Sequence, residues 1–261
     1  MSPRLPLILA ALALAGCHPE QELAKRERGD CQQGDVAACH AFATRLLSGN
    51  RVLRDPGRAA TLLDTACARG VPAACARLGD LYQNGRGVAV DSARALALFE
   101  LGCTGGAREG CGRLGNRLAA DTSAARDPAR AARFLETACD SSTTNGCLGL
   151  ARLLAAGDGV PRDEPRAAAL FARACENEEP DGCFRFGRAL EDGSGIPQDH
   201  ARAAANYRTA CEEYRHGEAC FRLAHLHQEG LGVEASPAEA ATLTRRACFA
   251  GYRPACPSDE S

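Results

Sequence analysis

Lysine is almost absent from this chain: of 31 basic residues, Lys25 is the only lysine. That scarcity excludes several chemistries at once. A serine acyl-transfer centre built on Ser-x-x-Lys has no lysine to use, since Glu22 and not Ser stands three residues before Lys25. A phosphate-cradling P-loop fails for the same reason. Beyond residue 16 no stretch is apolar enough to cross a membrane. Strong charge of either sign is also missing: the net charge of −2 argues against a nucleic-acid partner. His225 and His227 stand two apart, and on a helix such residues point about 200° from each other, so they cannot share an ion. No zincin motif occurs, and no carboxylate pair stands out from repeat-wide helix caps. The expectation is therefore no catalytic residue, no cofactor and no metal.

What the chain has in excess is cysteine on a strict period. Fourteen of the 15 cysteines form seven couples: Cys31/Cys39, Cys67/Cys75, Cys103/Cys111, Cys139/Cys147, Cys175/Cys183, Cys211/Cys220 and Cys248/Cys256. The offset within a couple is eight residues, except for nine at Cys211/Cys220, and couples recur every 36 residues, the last step being 37. Such a period is an internal repeat. An even count in a ladder also points to an oxidising compartment.

The fifteenth cysteine agrees. A lone Arg4 precedes an apolar run of 11 residues, Leu5 to Ala15, ending in Leu14-Ala15-Gly16-Cys17. Charge, apolar stretch and small residues in that order describe a secretory signal. Leu-Ala-Gly-Cys resembles the lipobox of bacterial lipoproteins, which implies that Cys17 carries the lipid and becomes the mature N-terminus. His18 rather than Asp follows it, which by the same resemblance favours the outer membrane, facing the periplasm or the cell surface. The expected organisation is a signal at 1–16, a lipidated N-terminus and polar tether at 17–30, repeats at 31–256 and a tail at 257–261.

Each repeat reads as two helices. The first, helix A, spans the leading cysteine and ends at Gly49, Gly85, Gly157, Gly193 or Gly230, a residue that closes a helix in the left-handed conformation without a Cβ penalty. Helix B opens at Asp55, Asp91, Asp127, Asp163, Asp199 or Ser236, whose side chains accept from first-turn amides for about 1 kcal/mol each. Ser236 with Glu239 forms a capping box. Small residues mark the crossing points: Gly79, Gly115 and Gly187 in helix A, and Ala59-Ala60, Ala131-Ala132, Ala203-Ala204 and Ala240-Ala241 among those in helix B. No repeat buries its apolar face alone, so neighbours must share a core.

Leu78-Gly79-Asp80-Leu81-Tyr82, Gly85-x-Gly87-Val88, and Asp91 followed by Ala95 resemble the Sel1-like repeat, a relative of the tetratricopeptide repeat. The flanking cysteines resemble its secreted cysteine-rich branch. The resemblance covers residues 31–256 and implies an all-α protein, an α/α solenoid of about six disulfide-stapled helix pairs forming a right-handed superhelix with a concave face. The turns of the first unit (Gly49-Asn50-Arg51-Val52) and the third (Ala119-Ala120-Asp121-Thr122) depart from the pattern.

Two disulfide connectivities suit antiparallel pairs: within a unit, as Cys39–Cys67, or across the tight turn, as Cys67–Cys75. Chain entropy does not choose, at about 3.6 and about 2.6 kcal/mol respectively. Counting favours the cross-turn set, because within-unit pairing orphans Cys31 and Cys256.

Two arginine ladders recur. Arg58, Arg94, Arg130, Arg166 and Arg202 stand three residues past each Asp cap and read as local or inter-repeat ion pairs. Arg77, Arg113, Arg185 and Arg222 lie two residues past the helix A cysteine. With Tyr82, Phe184 and Phe221 they are the candidate groove contacts, presenting guanidinium forks to carboxylates of a peptide or cell-wall fragment; a solvated face laced with salt bridges is the competing reading. The function expected is a monomeric, lipid-anchored envelope scaffold that holds a protein or peptide partner. The alternative is a weak β-lactamase-like hydrolase or binder of peptidoglycan precursors, which rests on the cysteine-rich branch alone; a spacer with no ligand is the third possibility.

Overall fold

The computed structural model describes residues 19–120, 126–139 and 144–256. The signal segment 1–16, the lipobox cysteine Cys17, the tail 257–261, and Asp121 and Thr122 of the third turn lie outside the described residues. The chain divides into two units, Met1–Ala107 and Arg108–Ser261.

The first unit contains α1 (Pro19–Gln32), α2 (Val36–Ser48), α3 (Pro56–Ala68), α4 (Pro72–Asn84) and α5 (Ser92–Thr104), each packed on its neighbour in the chain. The second contains α6 (Arg108–Ala119), α7 (Pro128–Ala138), α8 (Thr144–Ala156), α9 (Glu164–Glu176), α10 (Pro180–Asp192), α11 (His200–Glu212), α12 (Gly217–Glu229), α13 (Pro237–Phe249) and a 3-10 turn at Arg253–Ala255. It packs in the same sequential manner, with one extra contact between α6 and α8. The described residues are helices and turns throughout, without a strand. Helices α2, α4, α6, α8, α10 and α12 are of type A, and their successors of type B.

The helix ends follow the sequence signals. Gly49, Gly85, Gly193 and Gly230 cap their helices in the left-handed conformation. Asp55, Asp91, Asp127, Asp163, Asp199 and Ser236 each accept from the backbone N–H three residues on, at 2.9–3.3 Å. In the first unit's aberrant turn, Arg51 (φ 58°) occupies the left-handed position held by Gly87 (φ 77°) one repeat later. The backbone course is kept despite the missing glycine.

Helix pairs approach closely where glycine meets a large ring or branched chain. A Cβ on Gly79 would lie 2.6 Å from Phe99, on Gly115 2.5 Å from Leu135, and on Gly187 2.8 Å from Tyr207. The crossing alanines are buried, apart from an exposed Ala241. Neighbouring repeats interlock through the second glycine of the A–B turn. A Cβ on Gly195 would lie 2.3 Å from the Glu164 backbone carbon, and on Gly232 2.3 Å from that of His200. Leu190, Tyr207, Leu223 and Leu243 are among the core side chains this buries in the second unit, and Phe42, Leu63, Leu78 and Leu81 in the first.

Disulfides run across the tight turns: Cys31–Cys39, Cys67–Cys75, Cys139–Cys147, Cys175–Cys183, Cys211–Cys220 and Cys248–Cys256, with Cα separations of 4.3–4.8 Å. Cys103 and Cys111 are each disulfide-bonded as well.

One expectation differs. The polar segment read as a tether is helical from Pro19, and α1 packs on α2 through buried Ala24. Arg45 of α2 holds it by donating to Glu27 at 2.6 Å and Glu20 at 2.8 Å. It takes the place of a helix B before the first repeat, and Cys31 ends it as Cys67 ends α3. The polar residues are its outer face.

Candidate protein-interaction surface

The A helices of the second unit bring three of the four candidate arginines to equivalent places, two residues past their cysteines. Each has a carboxylate one turn earlier on the same helix: Glu109 for Arg113 at 3.3 Å, Asp181 for Arg185 at 2.8 Å and Glu218 for Arg222 at 3.8 Å. Residues four apart on a helix are neighbours, so this spacing pairs the charges locally. Two of the pairs extend across repeats. Asp181 also accepts from Arg152 of α8, and Arg222 donates to Glu191 of α10 at 3.2 Å. Burial alone would raise the Asp181 pKa, yet the Arg152 and Arg185 guanidiniums hold its carboxyl below the ordinary value.

Glu191 does a second job. Its Oε2 accepts from the hydroxyl of Tyr207, a fully buried ring of α11, at 2.5 Å. Burial and the Glu191 carboxylate push the Tyr207 pKa far up, so the phenol stays protonated as a donor. The arginine stripe is thus a set of pre-paired charges tied into the core, rather than a row of unengaged forks.

The remaining candidates divide. Arg77 of α4 is half-buried and has Ala73, not an acid, one turn earlier. Tyr82 is half-buried and carries the Arg94 guanidinium over its ring, 4.4 Å from the centroid. Phe221 is half-buried against Tyr252, with 5.4 Å between ring centroids. Phe184 corrects the sequence reading: only 4% exposed, it stacks on His216 at 4.5 Å and belongs to the core. One residue past the cysteine, a side chain faces the turn and the next helix pair. His225 is exposed, whereas His227 is half-buried and contacts the Glu234 carbonyl at 3.1 Å.

The stripe has a gap. Gly149 occupies in α8 the place that Arg113, Arg185 and Arg222 hold elsewhere, and a cleft of about 470 Å³ opens there between α6 and α8. Leu148 and Leu153 line it beside Arg152 and Asp158, and a Cβ on Gly149 would lie 2.3 Å from Asn116 Oδ1. Sequence reasoning missed this feature; its signal was the missing arginine in the fourth unit.

The cap ladder follows the ion-pair expectation in part, and Arg58, Arg130 and Arg202 stand over the rings of Phe42, Phe134 and Phe186 at 5.4–5.8 Å. Arg94 pairs with Asp64 of the preceding repeat at 3.3 Å, and Arg166 with Glu136. Among the described residues no helix is long and apolar enough to cross a membrane.

The family model for the Sel1 repeat matches six consecutive segments: 36–71, 72–106, 109–142, 144–178, 180–213 and 217–252. The chain belongs to the Sel1-repeat family. Its fold is shared with a protective antigen of uropathogenic Escherichia coli displaying an SLR fold (TM-score 0.76, 23% identity, 88% of this chain and 49% of that one). It is shared equally with a Sel1 repeat protein from Oxalobacter formigenes (TM-score 0.76, 18% identity, 87% and 91%). The present Sel1-repeat chain thus spans about half the length of the E. coli antigen. Among curated proteins no sequence matches it significantly. Sel1-repeat solenoids generally serve as protein-interaction scaffolds.

Proposed function

We propose that this Sel1-repeat protein is a non-enzymatic scaffold, lipid-anchored at the bacterial envelope through Cys17, and that its A-helix face holds a protein partner. The observation that carries the reading is the stripe of Arg113, Arg152, Arg185 and Arg222, fixed in ion pairs on helices that disulfides staple across the tight turns between repeats. Charges already ordered in the unbound protein lose little side-chain entropy on docking, and their alternating signs select a partner of complementary pattern. The cleft beside Gly149 offers apolar lining for an anchor side chain within that pattern. Arg77, Tyr82 and Phe221 are further proposed contacts.

A photo-crosslinking residue placed at Arg113 or Arg152 is expected to trap one partner in intact envelopes, and the same probe at the exposed Thr61 or Arg208 is expected not to trap it. Replacing Asp181 by Arg should abolish the adduct. Equal trapping from both positions overturns the surface assignment. Nitrocefin turnover by the oxidised protein, abolished by one point mutation in the A-helix face, overturns the non-enzymatic reading. The anchor is tested separately by Cys17→Ser, which should move the protein from the membrane to the soluble fraction.

A further inference from the structure

In the first and third units the acid three residues before the helix B cysteine meets an arginine of the next repeat, Asp64 with Arg94 and Glu136 with Arg166, whereas Ala172 and Arg208 stand there in the fourth and fifth. At the N-terminal end of the first unit this pairing is inverted. The residue three before Cys31 is Arg28 of α1, and its counterpart on α3 is Arg58. Both line a cleft of about 540 Å³ that also takes in Lys25 and Arg51.

Four cations therefore share this space with a single lining carboxylate, Asp55, whose Oδ1 is committed to capping α3 through the Arg58 N–H at 2.9 Å. Of the acids of α1, Glu22 pairs with Lys25, one of these four, at 2.8 Å, while Glu20 and Glu27 both accept from Arg45, which is not part of the lining. Arg58 stands over the Phe42 ring at 5.6 Å, and Phe42 and Leu46 give the cleft an apolar floor. At the rim Leu53 is 90% exposed.

We propose that this cleft is a binding site for a phosphate ester, with the phosphate replacing the missing carboxylate between Arg28 and Arg58 and an apolar substituent lying along Phe42, Leu46 and Leu53. Guanidinium forks match phosphate geometry, and two of them facing across a cleft repel one another until an anion enters. The ester is supplied either by a phospholipid headgroup or by a soluble metabolite; the site recognises the shared phosphate, and does so whether or not Cys17 is lipidated.

The test uses the purified oxidised full chain and follows its thermal midpoint at constant ionic strength, titrated with glycerol phosphate, dihexanoyl phosphatidylglycerol or dihexanoyl phosphatidylcholine. Wild type is expected to gain midpoint saturably with the anionic ligands. A stronger response to phosphatidylglycerol than to glycerol phosphate assigns the headgroup, and the reverse assigns a soluble ester. Arg28→Glu supplies the acid that Asp64 and Glu136 provide in the first and third units; it should melt higher than wild type without ligand and bind at least about tenfold more weakly, the worth of a charge-assisted hydrogen bond. Arg58→Gln provides a second loss-of-binding variant. The absence of a saturable response in wild type, or an unchanged response in both variants, overturns the proposal.

Discussion

Gly187 of α10 lies flat against the ring of Tyr207, so that a Cβ on the glycine would stand 2.8 Å from one ring carbon and 2.9 Å from the next. The ring cannot swing aside, because its hydroxyl is bonded to Glu191 and its whole surface is buried. Gly187→Ala is therefore expected to destabilise by about 1–3 kcal/mol through overpacking. Gly29→Ala is the contrast: nothing lies within 4 Å of its Cβ and it sits within α1. It should gain up to about 1 kcal/mol of helix propensity. Urea midpoints at unchanged m-value check both.

The network below the arginine stripe yields a second expectation. Glu191 accepts from Tyr207 and Arg222 together, so Glu191→Ala orphans a buried phenol and loosens a half-buried guanidinium. A loss of about 1–3 kcal/mol should follow. Glu191→Gln keeps an acceptor for the phenol and should cost less. A cost for Gln equal to that for Ala would show that charge, not the hydrogen bond, is what Tyr207 needs.

The staples give a third. Cys67 and Cys75 are bridged across the turn between α3 and α4, closing a loop over a sequence separation of eight. Replacing both by Ala should lower stability by about 2.6 kcal/mol on the chain-entropy model while leaving the helix content intact. Far-UV circular dichroism with a denaturant melt decides. Peptide mapping without reductant should return Cys67 linked to Cys75.

Most of the fold was written in local chemistry that repeats. Asp91, Asp163 and Asp199 cap their helices where the 36-residue period put them, because a cap depends on three residues of contiguous chain. The first helix escaped, although Ala24 stands 36 residues before Ala60 and Cys31 36 before Cys67, since its exposed face is charged and no couple of the cysteine ladder precedes it. The candidate surface was half legible. Arg185 and Arg222 were found by period, but their neutralisation depends on Asp181 and Glu218 one turn back and on Arg152 and Glu191 from neighbouring repeats. Phe184 was misplaced because the 3.6-residue period of a helix tells which side chains point inward only when the packing of the next pair is known.

His216 is expected to make the protein's stability depend on pH below about 6.5, the ordinary imidazole pKa. It precedes α12, where its Nδ1 accepts from the Ala219 N–H at 3.2 Å, and its ring stacks on buried Phe184 at 4.5 Å. Burial pushes its pKa below the ordinary imidazole value; Asp181 and Glu218 pull it partly back up, and Arg185 of α10 opposes them. An imidazole with a lowered folded pKa binds fewer protons folded than unfolded as pH falls below about 6.5, so stability drops with acid in that window. The slope for one proton is at most about 1.4 kcal/mol per pH unit. Protonation at Nδ1 also removes the acceptor, so the cap is lost with the charge change. His216→Asn keeps an N-cap acceptor and cannot titrate. Its melting midpoint should be flat between about pH 7 and pH 5, where the wild-type midpoint falls; the same acid-induced fall in both proteins would place the titrating group elsewhere.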